Sequence, residues 1–186
     1  GSLLLKSARE IIAIEQNLKQ NMKTMNRIRP LRVGATVTVG TNIIGKIIAQ
    51  ITEEYPDIDV FVNVSNTHQI EHMLLYNELD IAIVEGIVTH NELITQPVFV
   101  DKLCIICSKD HPFAGRPYLH VSDLRDQHFI LREKGSGTRA IFEAVMDAQH
   151  IPYDIKWESS STPAILDANK RNLGLGFVSE RCATGK

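Results

Sequence analysis

The chain has 186 residues, of which 44% are hydrophobic and 23% charged, so it contains enough apolar side chains for the core of one domain or of two small lobes. A net charge of −2 argues against a nucleic-acid-binding surface, and the sequence has neither an apolar run long enough to span a bilayer nor a secretory signal pattern at its start. Three cysteines without a disulfide framework indicate the reducing cytoplasm.

The first predicted element is a helix over residues 3–27, a segment without proline or glycine. Leu4, Ile11, Leu18 and Met25 recur every seven residues, which is typical of a helix that packs along a partner helix. An ordinary amphipathic helix lying on its own globule is the alternative. The sequence therefore predicts a helix that either joins a partner or covers the chain's own core.

From residue 31 onward, the sequence predicts strands that alternate with helices. The predicted elements are a strand at 31–37, a helix at 42–54, a strand at 58–64, a helix at 67–77 and a strand at 79–84. The last of these is a continuous apolar run, which suits a strand buried in a parallel sheet. A βαβαβ order with short connections implies a parallel sheet covered by helices on both faces.

A second unit of strands and helices is predicted to begin near residue 100. Its first helix follows the glycine-rich segment at 135–137. Its second helix has Thr162 as N-cap and Pro163 in the first helical position, and it extends to Asn172. The strands of this unit are predicted at 103–107, 128–131, 155–158 and 175–178, and its first helix at about 137–148.

Small hydroxyl, amide and glycine residues are concentrated at four strand-to-helix junctions. The carboxyl ends of strands form the edge at which open α/β sheets bind ligands, and free backbone N–H groups at a helix start favour an anion. Each cluster could also serve only to cap its own helix. Four clusters with Arg139 to supply a charge favour a shared oxyanion or carboxylate site. The clusters comprise Thr36, Thr38, Gly40 and Thr41; Ser65, Asn66 and Thr67; Gly135, Ser136, Gly137 and Thr138; and Ser159, Ser160, Ser161 and Thr162.

The segment at 68–72 matches H-x-x-E-H, the inverted zinc-protease motif. On a helix, His68 and His72 share a face, and Glu71 could act as a base. That face lies opposite Ile70, so we expect the histidines to point to solvent, without the enclosed site and third ligand that a catalytic zinc needs. We therefore predict no catalytic residue and no metal.

Cys104 and Cys107 have C-x-x-C spacing but fall in a predicted strand. Residues three apart in a strand face opposite sides of the sheet, so the two thiols can neither chelate one metal nor form a simple local disulfide. We expect both side chains to pack in the core, and we predict no cofactor.

Seven motifs, in order along essentially the whole chain, resemble the effector-binding domain of LysR-type bacterial transcription regulators. An ordered series of motifs is more specific than any one of them. The motifs are LRVGA at 31–35, TVGTN at 38–42, PDIDV at 56–60, LDIAI at 79–83, DHP at 110–112, LREKGSGTR at 131–139 and LGLGF at 173–177.

The resemblance implies an α/β fold of the periplasmic-binding-protein-like (type II) kind, with two lobes built on parallel or mixed sheets and preceded by a long linker helix. It places a linker and dimerisation helix at 3–29, the first effector-binding lobe at 30–99 and the second at 100–186. In this family the chain returns to the first lobe after the segment that matches 174–179. This C-terminal return is expected to be missing here.

The function implied by the resemblance is detection of a small anionic effector, either an inorganic oxyanion or a small carboxylate, between the two lobes. Binding would alter the geometry of a homodimer or tetramer, and thereby transcription. DNA would be contacted only through a winged helix-turn-helix headpiece that is absent here, and neither a membrane partner nor enzymatic activity is implied. The alternative is a solute-binding protein of a transporter, which shares the fold.

By position, the resemblance implies a ligand cleft formed by the strand-to-helix junctions of both lobes. Glu85 is expected near the mouth of the cleft, where it would either repel the wrong charge or bind an amine. The other expected ligand-binding residues are Thr36, Thr38, Ser65, Asn66 and Thr67 in the first lobe and Ser136, Gly137, Thr138, Arg139 and Ser161 in the second.

Overall fold

The structure, a computed structural model, describes residues 29–184. The predicted linker helix at 3–27 lies outside this range. We call residues 31–86 the first half and residues 103–184 the second half, because each contains its own sheet. The predicted lobe boundary at residue 99 falls in the connection between the halves and stays a prediction. Among the described residues, no helix has both the length and the apolar character needed to cross a bilayer.

The first half consists of three strands and three helices. In chain order these are β1 (Leu31–Thr36), α1 (Val37–Asn42), α2 (Ile44–Glu54), β2 (Val60–Ser65), α3 (Thr67–Leu75) and β3 (Ile81–Ile83). The strands form a parallel sheet in the order β2–β1–β3, which confirms the predicted parallel arrangement. Because β1 is central, its Val33 and Ala35 are buried, and they pack with Val39 and Ile44 from the helices that follow.

The second half consists of four strands, three helices and one 3-10 turn at Val121–Leu124. The elements are β4 (Leu103–Ile106), β5 (His128–Arg132), α4 (Gly137–Ala148), β6 (Asp154–Ser159), α5 (Thr162–Lys170), β7 (Leu175–Ser179) and α6 (Glu180–Thr184). The strand order is β4–β7–β5–β6. The sheet is mixed, since β4 runs antiparallel to β7 while the other pairs are parallel.

The sheet of the second half is buried on both faces. Adjacent residues of a strand point to opposite faces, and in β5 both Phe129 and Ile130 are fully buried. Phe129 packs with Phe142 of α4 in one apolar cluster, and Ile130 packs with Ile165 of α5 in another. The helices on the two faces therefore hold β5, and the loop that follows it, in a fixed position.

The two cysteines with C-x-x-C spacing lie on opposite faces of this sheet, as predicted. Cys104 packs against the cluster that contains Ile130, and Cys107 packs against the cluster that contains Phe129. Both thiols are free. Burial raises the pKa of Cys104 and of Cys107, which keeps both thiols protonated at neutral pH. The expected role in core packing is confirmed.

The helix predicted at 42–54 is wrong at its N-terminal end. The structure has two helices that meet at Ile43, whose backbone angles (φ −126°, ψ −48°) are not helical. The side chain of Asn42 donates a hydrogen bond to Thr38 O at 2.9 Å, and such local side-chain bonds compete with helix continuation. The preceding helix begins at Val37, so the first strand ends one residue earlier than predicted.

The strand predicted at 79–84 is shorter than expected and is not buried along its length. It covers Ile81–Ile83, and within the described chain it pairs with β1 alone. It is therefore an edge strand, and the side chain of Ile81 is 56% exposed. The apolar run was a correct indication of a strand, but its composition does not distinguish an edge from the centre of a sheet.

The helix predicted from Thr162 to Asn172 is also shifted at both ends. Its N-cap is Ser161, whose Oγ accepts a hydrogen bond from Ala164 N at 3.4 Å. It ends at Lys170 because Asn172 adopts a left-handed backbone conformation with φ +59°, which stops a right-handed helix. The short final helix, α6, was not predicted.

Candidate functional site

Nine residues from both halves line one small cavity. Its volume is about 10 Å³, which is roughly the space of one water molecule. Eight of the eleven ligand-binding residues that the sequence predicted line this cavity. The two halves are closed against each other around them. The lining consists of Thr36, Thr38, Asn66, Thr67, Glu85, Arg132, Ser136, Gly137 and Thr138.

The cavity lies at the carboxyl ends of three strands, β1 and β2 of the first sheet and β5 of the second. Thr36 is the last residue of β1, Asn66 directly follows β2, and Arg132 is the last residue of β5. The carboxyl ends of parallel strands lie at one edge of a sheet, where open α/β folds bind ligands. Asn66 also caps α3, since its Oδ1 accepts a hydrogen bond from Gln69 N at 3.0 Å. The predicted capping role and the predicted place at the site therefore occur together in Asn66.

Hydrogen bonds join the two halves at the edge of this cavity. The hydroxyl of Thr67 accepts from Gly137 N at 3.0 Å and donates to Glu85 O at 3.1 Å. The backbone N–H of His68 donates to Gly135 O at 3.1 Å. The N-terminal ends of α3 and α4, which belong to different halves, are therefore directly bonded to each other.

Two glycines allow the backbones of the two halves to come into contact. A Cβ on Gly137 would lie 2.1 Å from Glu85 O and 2.8 Å from the hydroxyl oxygen of Thr67. Gly86 has φ +101°, and a Cβ there would lie 2.7 Å from the Cα of Gly137. Any side chain at either position would force the halves apart, so the closed arrangement requires glycine at both.

Glu85 extends into the cavity from the end of β3. Its Oε1 accepts a hydrogen bond from the Thr138 hydroxyl at 2.7 Å, and its backbone N–H donates to the Thr36 hydroxyl at 3.2 Å. Its Oε2 is shielded from solvent and has no hydrogen-bond partner; in the part of the chain that the structure describes, no other fully shielded side-chain oxygen or nitrogen lacks one. Glu85 thus connects both halves and still holds an unused acceptor.

Two buried hydroxyls of the lining make no hydrogen bond within the described part of the chain. Thr38 and Ser136 are each about 5% exposed or less, and neither side chain makes a hydrogen bond to another residue in the range 29–184. A hydroxyl can both donate and accept. These two groups can therefore bond a ligand without breaking an existing contact.

Arg132 is a lining residue that sequence reasoning missed. Arg132 as a whole residue is 3% exposed. Its guanidinium donates to the Glu133 carboxylate through Nε at 2.8 Å and through Nη2 at 3.0 Å. Burial alone would raise the pKa of Glu133, but the hydrogen bond and charge of Arg132 outweigh it and lower that pKa below its ordinary value. Arg132 could have been found by the same signal that indicated Thr36, since each is a polar residue at the end of a predicted strand.

Arg139, the positive charge that the sequence predicted for the site, does not line the cavity. Its Nε donates to Glu143 at 2.8 Å, and its Nη1 donates to Arg132 O at 3.2 Å and also contacts Glu158. The guanidinium is therefore occupied in ion pairs that join α4 to β5 and β6. In this arrangement Arg139 holds the backbone of Arg132 through the bond to Arg132 O. Contact of Arg139 with a ligand stays a prediction.

Two other predicted site residues lie outside the lining. Ser65 donates its hydroxyl hydrogen to the side-chain oxygen of Gln69. Ser161 is exposed and caps α5. The sequence left open that each junction serves only to cap its own helix, and the structure describes this capping role for Ser161.

The H-x-x-E-H segment has the orientation that was expected for its histidines. His68 and His72 are exposed, whereas Glu71 is buried on the opposite side of α3. The Glu71 carboxylate accepts hydrogen bonds from Thr89 N at 3.3 Å and from the Thr89 hydroxyl at 3.1 Å. Glu71 thus anchors the connection between the halves. Within residues 29–184, no group of three potential metal ligands is present.

Comparison with known proteins identifies the family of this fold. The family model described as LysR substrate binding domain matches residues 27–185. The HTH-type transcriptional regulator CysL of Bacillus subtilis (strain 168) is 28% identical over 181 residues, which cover 96% of this chain and 60% of that protein. This chain therefore spans about three fifths of the length of that curated relative.

Solved structures of related domains have the same architecture. The regulatory domain of CcmR from Synechocystis PCC6803, in complex with 2-PG, aligns with a TM-score of 0.75 at 29% identity and covers 84% of this chain and 75% of that chain. The effector-binding domain of QuiR in complex with shikimate also gives a TM-score of 0.75, at 19% identity, with coverage of 84% and 77%. The predicted type II periplasmic-binding-protein-like fold is confirmed.

The relatives also decide between the functional classes left open by the sequence. They are transcription regulators, and neither enzymes nor binding proteins of transporters. The prediction of a non-enzymatic regulator domain is therefore confirmed, and the alternative of a transporter component is not supported.

Proposed function

We propose, from the fact that this chain belongs to the LysR substrate-binding domain family, that it binds a small anionic effector in the cavity between its two halves and thereby controls a transcription regulator. The observation that carries this proposal is the lining itself. It combines the buried guanidinium of Arg132 with the unused hydroxyls of Thr38 and Ser136, and these residues come from both halves.

The donors of this lining favour a carboxylate, phosphate or sulfate group. A buried guanidinium that is already held in place loses little freedom when it binds an oxyanion. The start of α4, at Gly137, adds the positive end of a helix dipole next to Ser136. The ligands of the two structural relatives, 2-phosphoglycolate and shikimate, both carry an acidic group, which supports the same class of effector here.

Binding must change how the two halves are arranged. A cavity of about 10 Å³ does not admit even a small carboxylate, so an effector enters only when the halves separate. Separation breaks the bonds from Thr67 to Gly137 and from Thr138 to Glu85. An effector that binds the two arrangements with different affinities shifts the equilibrium between them, and this difference is the source of the regulatory signal.

The signal would act through partners outside the described residues. We propose that the full protein is a cytoplasmic homodimer or tetramer, joined through the helix at 3–29, and that it contacts DNA through a separate winged helix-turn-helix headpiece. A change in the arrangement of the two halves would alter the spacing of the headpieces on DNA.

The test is a thermal-shift panel of sulfate, phosphate, acetate, lactate and malate with the 186-residue chain. A ligand at 100 times its Kd stabilises a protein by about 2.7 kcal/mol, which for a chain of this size raises the Tm by roughly 5–10 °C. We expect at least one of these anions to raise the Tm of the wild type. Arg132→Gln and Thr38→Val should lose the response, since each removes a donor from the lining.

Arg171→Gln is the matched control, because Arg171 is an exposed arginine paired with Asp167 on the surface of α5. It should respond as the wild type does. Thr38→Val keeps the shape of the side chain and removes only an unused hydroxyl, so it reports on binding even if Arg132→Gln unfolds the protein. An unchanged response of both site variants would refute the proposed cavity.

A further inference from the structure

The position of Glu85 bears on which anions the cavity accepts. Glu85 is an acidic residue in a site whose other features favour an anion, and one of its carboxylate oxygens has no partner. The Thr138 hydroxyl satisfies Oε1 at 2.7 Å, whereas Oε2 is shielded from solvent and unbonded. A buried acceptor without a donor is unfavourable, and the penalty is larger for a charged group than for a neutral one.

The backbone of Glu85 is fixed, so the side chain starts from a defined place. Its N–H donates to the Thr36 hydroxyl at 3.2 Å, and its carbonyl accepts from the Thr67 hydroxyl at 3.1 Å. Thr36 and Thr67 both belong to the first half, so these bonds remain when the two halves separate. Glu85 therefore presents its carboxylate to the same space that an effector would occupy.

From this geometry we infer that Glu85 is a specificity-determining residue that requires a hydrogen-bond donor on the effector. The effector class is then an acid that carries a hydroxyl or ammonium group near its anionic group. This inference rests on the proposed function, because it assigns the anion to Arg132, Thr38 and Ser136. The hydroxyl or ammonium group donates to Glu85 Oε2.

Simple anions without a donor are disfavoured by the same arrangement. Sulfate has no hydrogen to donate at neutral pH, and its charge would lie beside the Glu85 carboxylate, where like charges repel in a site with little water. A deoxy acid such as propionate avoids a second charge but leaves Oε2 without a partner. A site built to bond a hydroxyl or amine rejects the analogue that lacks it, because its own polar group is then left unpaired.

The experiment compares acids that differ at one position. The three-carbon series is lactate, alanine and propionate, and the four-carbon series is malate, aspartate and succinate; sulfate is added to both. Dissociation constants are measured by isothermal titration calorimetry for the wild type, Glu85→Gln and Glu92→Gln. Glu92 is an exposed glutamate in the connection between the halves, so Glu92→Gln is the matched control for loss of a carboxylate.

In the wild type, we expect the hydroxyl or ammonium member of at least one series to bind about tenfold or more tightly than its deoxy analogue. Glu85→Gln should reduce this preference to about threefold or less, because an amide can itself donate to the ligand, and it should bind sulfate more tightly than the wild type does. Glu92→Gln should match the wild type in every measurement.

Equal binding of the deoxy acid by the wild type would overturn the role of Glu85, and this comparison needs no variant to fold. An undiminished preference in a folded Glu85→Gln protein would overturn it as well. If the acids bind without preference and Arg132→Gln abolishes their binding, the proposed function stands while this inference fails. If no acid of either series and no inorganic anion binds, both fail.

Discussion

The contact between Gly137 and Glu85 makes Gly137→Ala the most direct perturbation of the closed cleft. A Cβ at position 137 would be placed 2.1 Å from a backbone oxygen, Glu85 O. Neither group can move without its helix or strand, so the two halves must separate. Separation breaks three hydrogen bonds at the cavity: from Gly137 N to the Thr67 hydroxyl at 3.0 Å, from His68 N to Gly135 O at 3.1 Å, and from the Thr138 hydroxyl to Glu85 at 2.7 Å.

The expected loss of stability follows from these three bonds. A neutral hydrogen bond contributes about 1 kcal/mol and a bond to a charged group about 2 kcal/mol, so Gly137→Ala should lower the free energy of unfolding by about 4 kcal/mol. For a chain of this size, each kcal/mol changes the Tm by about 2–4 °C. We therefore expect the Tm to fall by roughly 8–16 °C in differential scanning calorimetry.

Gly45→Ala is the matched control for this substitution. Gly45 is exposed in α2, and a Cβ there meets no atom within 4 Å. The same change should stabilise the protein by about 0.5–1 kcal/mol, because alanine has the higher helix propensity. A Gly137→Ala protein that melts within about 2 °C of the wild type would show that the described closure does not hold the halves together.

Two further predictions concern the second half. Phe142→Ala should lower the free energy of unfolding by about 3–5 kcal/mol in urea denaturation, because the ring is almost fully buried and packs against Phe129 with ring centroids 4.7 Å apart. Tyr118→Ala, the control at an exposed aromatic residue, should change the free energy of unfolding by no more than about 0.5 kcal/mol. Equal effects of the two substitutions would contradict the assigned core. The lowered pKa of Glu133 means that the folded state binds fewer protons there than the unfolded state, so its stabilising effect is present above the ordinary pKa of 4.5 and is lost as the pH falls through the lower pKa of the folded state. The Tm of the wild type should therefore fall more steeply than that of Glu133→Gln as the pH is lowered below 4.5, and parallel profiles would rule out this contribution.

Strand and helix types were predictable because each depends on local pattern. The parallel sheet of the first half follows from the βαβαβ order, and the opposite faces of Cys104 and Cys107 follow from strand periodicity. The edge position of Ile81 was not predictable, since an apolar run fits a central strand and an edge strand equally well. The break at Ile43 depends on a side-chain bond from Asn42 that has no distinct sequence signature.

The site was predictable to the extent that it lies at strand ends. Thr36, Asn66 and Thr138 were named because they lie at predicted strand-to-helix junctions, and all three line the cavity. The identity of the arginine was not predictable in this way. Arg132 and Arg139 both flank the same glycine-rich loop, and only the packing of α4 against β5 and β6 turns Arg139 towards Glu143 and Glu158.

The strength of the closure is matched to the ligand that must open it. At the cavity, three hydrogen bonds join the halves, from His68 N, Gly137 N and the Thr138 hydroxyl, and at about 1–2 kcal/mol each they contribute a few kcal/mol. Outside the cavity lining, the side chain of Asn42 also donates to Cys182 Sγ at 3.3 Å. A millimolar to micromolar Kd corresponds to about 4–8 kcal/mol of net binding free energy. Because this net value already includes the cost of opening, the contacts of such a ligand with the lining must also offset the few kcal/mol of the broken bonds. A cleft closed by a large apolar interface would not open for so small a molecule, so the polar contacts between the halves are what make this site suitable for sensing.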